Sequence, residues 1–326
     1  MEPFVYRRAP DVAGALALFD PQSAFLAGGT ELINLLKEGI ATPATVIDIN
    51  RLPLATLEFE PARLRIGALM RMSDVAADAR VREAFPAISE ALELSASPQL
   101  RNMASMGGNL LQRTRCPYFR ADRALPCNKR ASGTGCSALA ENTRAHAIFG
   151  GSETCVATHP SDVAVVLSAL DAVVHVTGVE RERDVPIDDF YRLPGDRPQD
   201  DTTLQHGELI EHIDVPVSAV ARRSRYVKVR ERASYEFALV SAAVGVEYDG
   251  SAARDVRIAL GGVAPKPWRL RAAEERLRGE AFTLRHLDIA VRDALRAAQP
   301  RSDNAFKVEL AARAIRRACA SLGVPG

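Results

Sequence analysis

The sequence predicts an α+β protein in two parts, and three observations carry that reading. The first fifty residues alternate short apolar runs with amphipathic stretches. After residue 222 the pattern changes to strand-like runs and then to helices. Between these lies residues 113–155, which hold four of the five cysteines and show no hydrophobic period.

The N-terminal elements follow in order. "FVYRRA" suits a strand. "DVAGALALF" suits a helix capped by Asp11, because Ala13, Leu16 and Leu18 recur near helical spacing. "SAFLAGG" is a short strand that runs into two glycines. "TELINLLKEG" is an amphipathic helix stopped at Gly39. "TVIDIN" completes a β-α-β-α-β unit on the α/β pattern. "ATLEFEPARLRIGAL" reads as a hairpin, and the stretch from Met72 to Ala96 as helix broken near Pro86. "SDVAVVLSALDAVVHVTG" gives a helix and a strand, and "GELIEHIDVPV" a further strand. "RYVKVRERAS", "FALVSAAVGVEYDG" and "DVRIALGGVA" read as three strands, with the turn signal Asp249-Gly250 between the last two. Strands followed by terminal helices predict a separate α+β domain.

Composition narrows the function. The chain is 47% hydrophobic and 25% charged, ordinary for a globular protein. Forty-two Lys and Arg against 41 Asp and Glu leave a formal charge of +1, which gives no case for nucleic-acid or membrane-surface binding. No apolar run reaches the length of a membrane span. "MEPFVYRRAP" lacks the features of a secretory signal, so the expected compartment is cytoplasmic, with export on a signal-bearing partner left open.

Three stretches have the chemistry of a phosphate or sugar site. In "FLAGGTEL", Gly28 and Gly29 let backbone N–H groups approach a ligand, and Thr30 suits a helix cap. A helix N-terminus there would favour an anion. The stretch is neither GxGxxG nor a Walker A loop, and a plain strand-to-helix turn is the competing reading. "ASMGGNLLQ" repeats the theme at Gly107 and Gly108, with Ser105 and Asn109 beside them. Ser161 and Asp162 precede a helix, where a simple cap is the alternative.

The cysteine loop has its own alternatives. Cys116, Cys127, Cys136 and Cys155 are spaced C-x10-C-x8-C-x18-C. A disulfide needs an oxidising compartment. Structural zinc usually shows a C-x2-4-C pair, absent here. An iron–sulfur cluster needs four thiolates and tolerates loose spacing. From Arg113 to Arg130 six basic residues face one acid, Asp122, which suits an anionic cluster and should lower the thiol pKa values. The order is therefore 4Fe-4S cluster, then zinc, then a free basic loop that meets a partner. Cys319 stands alone in a terminal helix and reads as a small buried apolar residue.

Taken in order, "AGGTEL", "RNMASMGGN", "HPSDVAVVLSALDA", "RYVKVRERASYEFALVSAAV" and "RIALGGVAPKPWR" resemble the FAD-binding subunit of the molybdenum hydroxylases, the xanthine dehydrogenase and aldehyde oxidoreductase family. The resemblance implies a two-subdomain FAD-binding fold of the vanillyl-alcohol-oxidase (PCMH) type over residues 1–218, divided near residue 55. A small three-stranded sheet with helices, like the C-terminal part of CO dehydrogenase flavoproteins, is implied over 222–326. By the same resemblance Leu26, Ala27, Gly28, Gly29, Thr30, Glu31 and Leu32 would line the FAD pyrophosphate. Ser105, Gly107, Gly108 and Asn109 would meet the second side of the cofactor. Asp162, beside Ser161, would accept from a ribose or ribityl hydroxyl. Ile210 matches a backbone contact to the flavin. Lys228 matches a cation near the pyrimidine edge that stabilises the reduced flavin.

"LLQRTRCPYF", "PCNKR" and "GCSAL" resemble the bacterial aldehyde oxidoreductases whose flavin subunit carries a 4Fe-4S cluster, with all four clustered cysteines as ligands. The implied role is electron transfer from a molybdopterin subunit, through a small subunit with two 2Fe-2S clusters, to FAD and an external acceptor. A heterotrimer oxidising an aldehyde is expected. Flavin subunits of 4-hydroxybenzoyl-CoA reductase or xanthine dehydrogenase type, a stand-alone flavin dehydrogenase, and a non-enzymatic zinc-loop protein are the alternatives.

Overall fold

The computed structural model describes residues 1–325. Three sheets organise the chain. The first is parallel and joins β1 (Val5–Arg8), β2 (Ser23–Leu26) and β3 (Thr45–Asp48) in the order β1-β3-β2. Val5 and Ser23 both lie opposite Thr45, so β3 is the central strand. Its side chains Val46 and Ile47 are fully buried, as expected of a strand covered on both sides. Asp11 caps the helix Val12–Leu18 by accepting from the Gly14 N–H at 2.6 Å.

The second sheet is antiparallel. It holds β4 (Leu57–Phe59), β5 (Arg63–Gly67), β6 (Val173–Thr177), β7 (Glu182–Pro186) and β8 (Leu209–Pro216), in the order β4-β5-β8-β6-β7. The polar strand β7, "ERDVP", is not legible in the sequence. It is an edge strand and buries only Val185. The helical stretch after Met72 divides twice. It breaks at Asp78, which accepts from the Arg80 and Val81 N–H groups, and again at Pro86. Pro86 opens the helix Pro86–Leu94, where a missing N–H costs nothing.

The third sheet lies in the C-terminal part. Its strands are β9 (Ser224–Val229), β10 (Val240–Asp249), β11 (Ala252–Gly261) and β12 (Trp268–Arg269), in the order β12-β11-β10-β9. The three long strands are the expected ones, and β12 adds a two-residue edge. β10 is apolar on both faces because both are covered. Ala243 joins the core of the second sheet, whereas Val240, Ala242, Val244 and Val246 face the terminal helices. The helix Asp162–Ala169 is wholly buried at this joint. That placement explains why "DVAVVLSA" has no polar face. Cys319 is fully buried in the C-terminal core, and burial pushes its thiol pKa up.

Candidate functional site

The first glycine pair links β2 to the helix Leu32–Lys37. Gly29 has φ +74°, a conformation that favours glycine. Gly28 answers a different demand. A Cβ there would lie 1.8 Å from the Met103 carbonyl oxygen, so the chain segment before the second glycine pair packs directly on this turn. Arg71 clamps the junction, donating to the Met103 carbonyl at 2.6 Å and to Asn50 Oδ1 at 3.0 Å. Thr30 is not the helix cap. Glu31 occupies that position without a side-chain cap bond, and Thr30 offers its carbonyl to Asn34 Nδ2. The Glu31 carboxylate is held elsewhere, by the cysteine loop.

The second pair lies in the short helix Met106–Leu110, capped by Ser105 Oγ, which accepts from the Gly108 N–H at 3.2 Å. The third motif joins it directly. Ser161 Oγ donates to Asn109 Oδ1 at 2.5 Å and accepts from the Ala164 N–H, capping the buried helix. Three glycine- and serine-bearing turns, far apart in sequence, thus meet at one place.

Around them run three adjoining cavities. One of about 230 Å³ is lined by Ala27 to Leu32, Ser105, Gly107, Gly108 and Ile210. The next, about 310 Å³, shares Thr30, Glu31 and Gly108 with it and reaches Asn109 and Asp162. The third, about 260 Å³, shares Asp162, Arg115 and Phe237 with the second and reaches Ser161, Cys116 and His146. Every expected cofactor residue lines this trough except Leu26 and Lys228.

Asp162 marks the far end. Its carboxylate is buried and takes three donors: Ser95 Oγ and Lys228 Nζ, both at 2.8 Å, and the Tyr226 hydroxyl at 2.5 Å. Burial, with Asp162 alongside, pushes the Tyr226 phenol well above its ordinary pKa. The Lys228 side chain is only 1% exposed and also donates to the Leu94 carbonyl. Lys228 therefore stands behind Asp162 rather than in the open trough. Its ammonium compensates a carboxylate that would otherwise be costly to bury.

The loop 113–155 contains one short helix, Ser137–Ala140. Cys127 and Cys136 face each other across an antiparallel bridge. Cys127 and Cys155 are buried, Cys116 and Cys136 partly so, and all five cysteines are free thiols. The basic residues do not lower the Cys116 pKa as expected. Burial dominates and pushes it up to about 11, with Cys127 and Cys155 adding to the rise. Cys155 is also raised, by burial first, with Cys136 and Cys127 near and Lys129 opposing. Cys116 and Cys155 thus lie within electrostatic reach of Cys127, and Cys155 within that of Cys136. Among the described residues, no three His, Cys, Asp or Glu side chains form a set able to hold one metal ion.

Four of the six basic residues pair with three carboxylates. Glu31 receives the Arg113 N–H at 2.9 Å, Arg115 at 2.7 Å and Arg120 at 2.5 Å. Arg120 also reaches Glu38 at 2.9 Å. Asp201 pairs with Arg113 and with buried Lys129. Arg113, Arg115, Arg120 and Lys129 are therefore charge-paired, and the Glu31 contacts tie the loop to the first glycine turn.

Two histidines carried no sequence signal. His146 is buried with Nε2 3.2 Å from Cys116 Sγ. Burial, helped by the Lys307 charge, lowers its pKa to about 4. His159 is buried against the Tyr191 ring at 4.4 Å, and burial lowers it to about 4 as well. Only the position of His146 between two cysteines of the loop could have singled it out.

Comparison with known proteins places these features. A family model described as the FAD binding domain in molybdopterin dehydrogenase matches residues 2–218. A second, the CO dehydrogenase flavoprotein C-terminal domain, matches residues 225–322. The aldehyde oxidoreductase FAD-binding subunit PaoB of Escherichia coli K12 is 48% identical over 320 residues, 97% of this chain and 96% of that protein. The carbon monoxide dehydrogenase medium chain of Hydrogenophaga pseudoflava is 28% identical over 97% of this chain and 95% of its own length. A solved structure of carbon monoxide dehydrogenase from the same organism, lacking the Mo-pyranopterin moiety, superposes with a TM-score of 0.76 at 27% identity, covering 99% of both chains.

Proposed function

The chain belongs to the FAD-binding subunits of the molybdenum hydroxylase family, and from that premise we propose that it is the FAD- and 4Fe-4S-binding electron-transfer subunit of an aldehyde oxidoreductase. Bound FAD would supply the redox chemistry of the subunit. The turn at Gly28 and Gly29 would hold its pyrophosphate against backbone N–H groups, and the turn from Ser105 to Asn109 would close on the other side. Asp162 would accept from a sugar or ribityl hydroxyl while Lys228 balances its charge. Glu31 would not repel the phosphates, because Arg115 and Arg120 neutralise it.

The observation that carries the reading is the trough itself. It begins at the glycine turn and ends where Asp162 and Cys116 line one cavity. A flavin seated along it would have its far end beside the cysteine site. The donor set fits a 4Fe-4S cluster in kind: four free thiols, two buried and two partly so, with Cys127 near both Cys116 and Cys155. Four thiolates shared over several irons suit a cluster, and the C-x2-4-C pair usual for structural zinc is missing from the loop sequence.

Substrate oxidation then falls to partner chains. A molybdopterin subunit and a small 2Fe-2S subunit are the expected partners, and the high identity to an aldehyde oxidoreductase subunit favours an aldehyde as substrate. Among the described residues, no helix is long and apolar enough to cross a membrane. The test is direct. The purified chain should carry one FAD and four irons. Cys155→Ser should lose or convert the cluster and loosen FAD, and Cys319→Ala should do neither. Four irons with an unchanged absorption spectrum in Cys155→Ser would place the fourth ligand elsewhere. Aldehyde-dependent turnover by this chain alone would overturn the subunit reading.

A further inference from the structure

We propose that His146 is a positioning residue for the cysteine site: it donates a hydrogen bond from Nε2 to the Cys116 sulfur and so raises the reduction potential of the cluster that Cys116 holds. The inference rests on the 4Fe-4S reading above.

The geometry begins with the ring. His146 is 3% exposed, and its Nε2 lies 3.2 Å from Cys116 Sγ, within reach for a bond to sulfur. Its Nδ1 is buried without a hydrogen-bond partner. A neutral imidazole carries one ring hydrogen. A sulfur bound to iron has no hydrogen to give. The contact is attractive only with the hydrogen on Nε2, and that tautomer is the one assigned here.

The backbone that carries the ring is anchored on both sides, and the ring itself is buried. The His146 N–H donates to the Thr143 carbonyl at 2.8 Å. Its own carbonyl accepts from Lys307 Nζ at 3.0 Å and from Asn304 Nδ2 at 3.4 Å. Lys307 and Asn304 are both fully buried. Cys116 is fixed from its side, with its N–H on Thr114 Oγ1 at 3.2 Å and its carbonyl accepting from the Arg120 N–H at 3.0 Å. The His146 backbone is thus tied to the C-terminal part, and the Cys116 backbone to its own end of the loop. A hydrogen bond to a ligating sulfur withdraws charge from it and favours the reduced, more negative cluster. Hydrogen bonds to charged acceptors are the strong ones.

Two variants of the full chain test this, with iron counted after anaerobic reconstitution and the cluster potential read by a mediated redox titration followed by electron paramagnetic resonance. His146→Gln can still reach Cys116 with an N–H and should keep four irons and a potential near the parent's. His146→Phe keeps a ring but no donor. It should shift the oxidised-to-reduced ratio at fixed potential about tenfold, a fall of about 59 mV for a one-electron couple, or release iron that His146→Gln retains. Iron lost from His146→Gln would make the imidazole a ligand and overturn the donor role. An unchanged potential in His146→Phe would overturn it equally. A parent chain without iron would overturn both this inference and the cluster reading, whereas iron with an unmoved potential sinks this inference alone.

Discussion

The first glycine turn and the cysteine loop lie side by side yet are held in place by different physics. The turn is fixed by contact: Gly28 has no room for a side chain against the Met103 carbonyl. The loop is fixed by charge. Glu31 and Asp201, each more than 70 residues from the loop cations they bind, gather Arg113, Arg115, Arg120 and Lys129. The turn should therefore fail through bulk and the loop through lost charge. Glu31 belongs to both, which couples them.

The largest effect expected is that of Gly28→Val. Its Cβ must displace backbone, not a flexible side-chain end, so the turn and the Met103 segment must part locally. Overpacking of this kind costs about 3 kcal/mol or more. The purified variant should contain no FAD and should melt well below the parent. Retained FAD with a parental melting temperature would show that the Met103 segment gives way freely and that contact does not fix the turn.

Asp201→Asn should act on the loop and spare the turn. It leaves Lys129, only 6% exposed at its side chain, and Arg113 without their counter-charge. Breaking a buried pair costs roughly 3 kcal/mol. Limited proteolysis should cut between residues 113 and 155 in the variant while FAD content stays closer to the parent's than in Gly28→Val. The pH dependence gives a second reading. Burial alone would raise the Asp201 carboxyl, but Arg113 and Lys129 outweigh it and hold the pKa below its ordinary value. A carboxylate depressed in this way stabilises fully above its unfolded pKa, about 3.9, and the contribution fades as pH falls through the folded value. The stability gap between parent and Asp201→Asn should therefore narrow only below about pH 4. A gap that stays constant to lower pH would remove the charge from the account. Asp48 beside the turn behaves alike. Hydrogen bonds from Tyr6, Asn50 and Arg8 overcome its burial and hold it at about 2, so both variants keep some acid sensitivity.

The same contrast explains what could be read from the sequence. Strands and turns were legible because their causes are local. "SAFLAGG" and "TVIDIN" carry their apolar runs and glycines within a few residues, and the terminal sheet announced its three long strands. The edge strand β7 did not, because a strand that buries one residue needs no pattern. The cysteine loop was visible as an anomaly, but its electrostatics were not. Six cations in a row implied a positive field that would ionise thiols. Folding instead paired four of the cations with distant carboxylates and took the Cys116 sulfur largely out of water, so desolvation prevails there. Lys228 shows the same limit. A sequence names the cation, but only the fold reveals that Asp162, 66 residues away, takes it.

The smallest effect expected separates a glycine kept for packing from one kept for a ligand. Gly108 lines the same trough as Gly28, but its missing Cβ would meet only Ser105 Oγ, at 2.8 Å. A hydroxyl at the end of a short side chain can turn aside, at the cost of weakening its cap on the helix Met106–Leu110. Losing that cap costs about 1 kcal/mol. Alanine in place of glycine in a helix returns a similar amount. Gly108→Ala should therefore leave stability within about 0.5 kcal/mol of the parent, the ordinary range for a substitution without a packing penalty. Any loss of FAD affinity would then report on the ligand's approach to the backbone and not on unfolding. A drop of a few-fold in FAD affinity, measured by flavin fluorescence on the refilled apoprotein at constant melting temperature, is the expected result. Unchanged affinity would reduce Gly108 to an ordinary helix residue and leave the pyrophosphate to the Gly28–Gly29 turn alone.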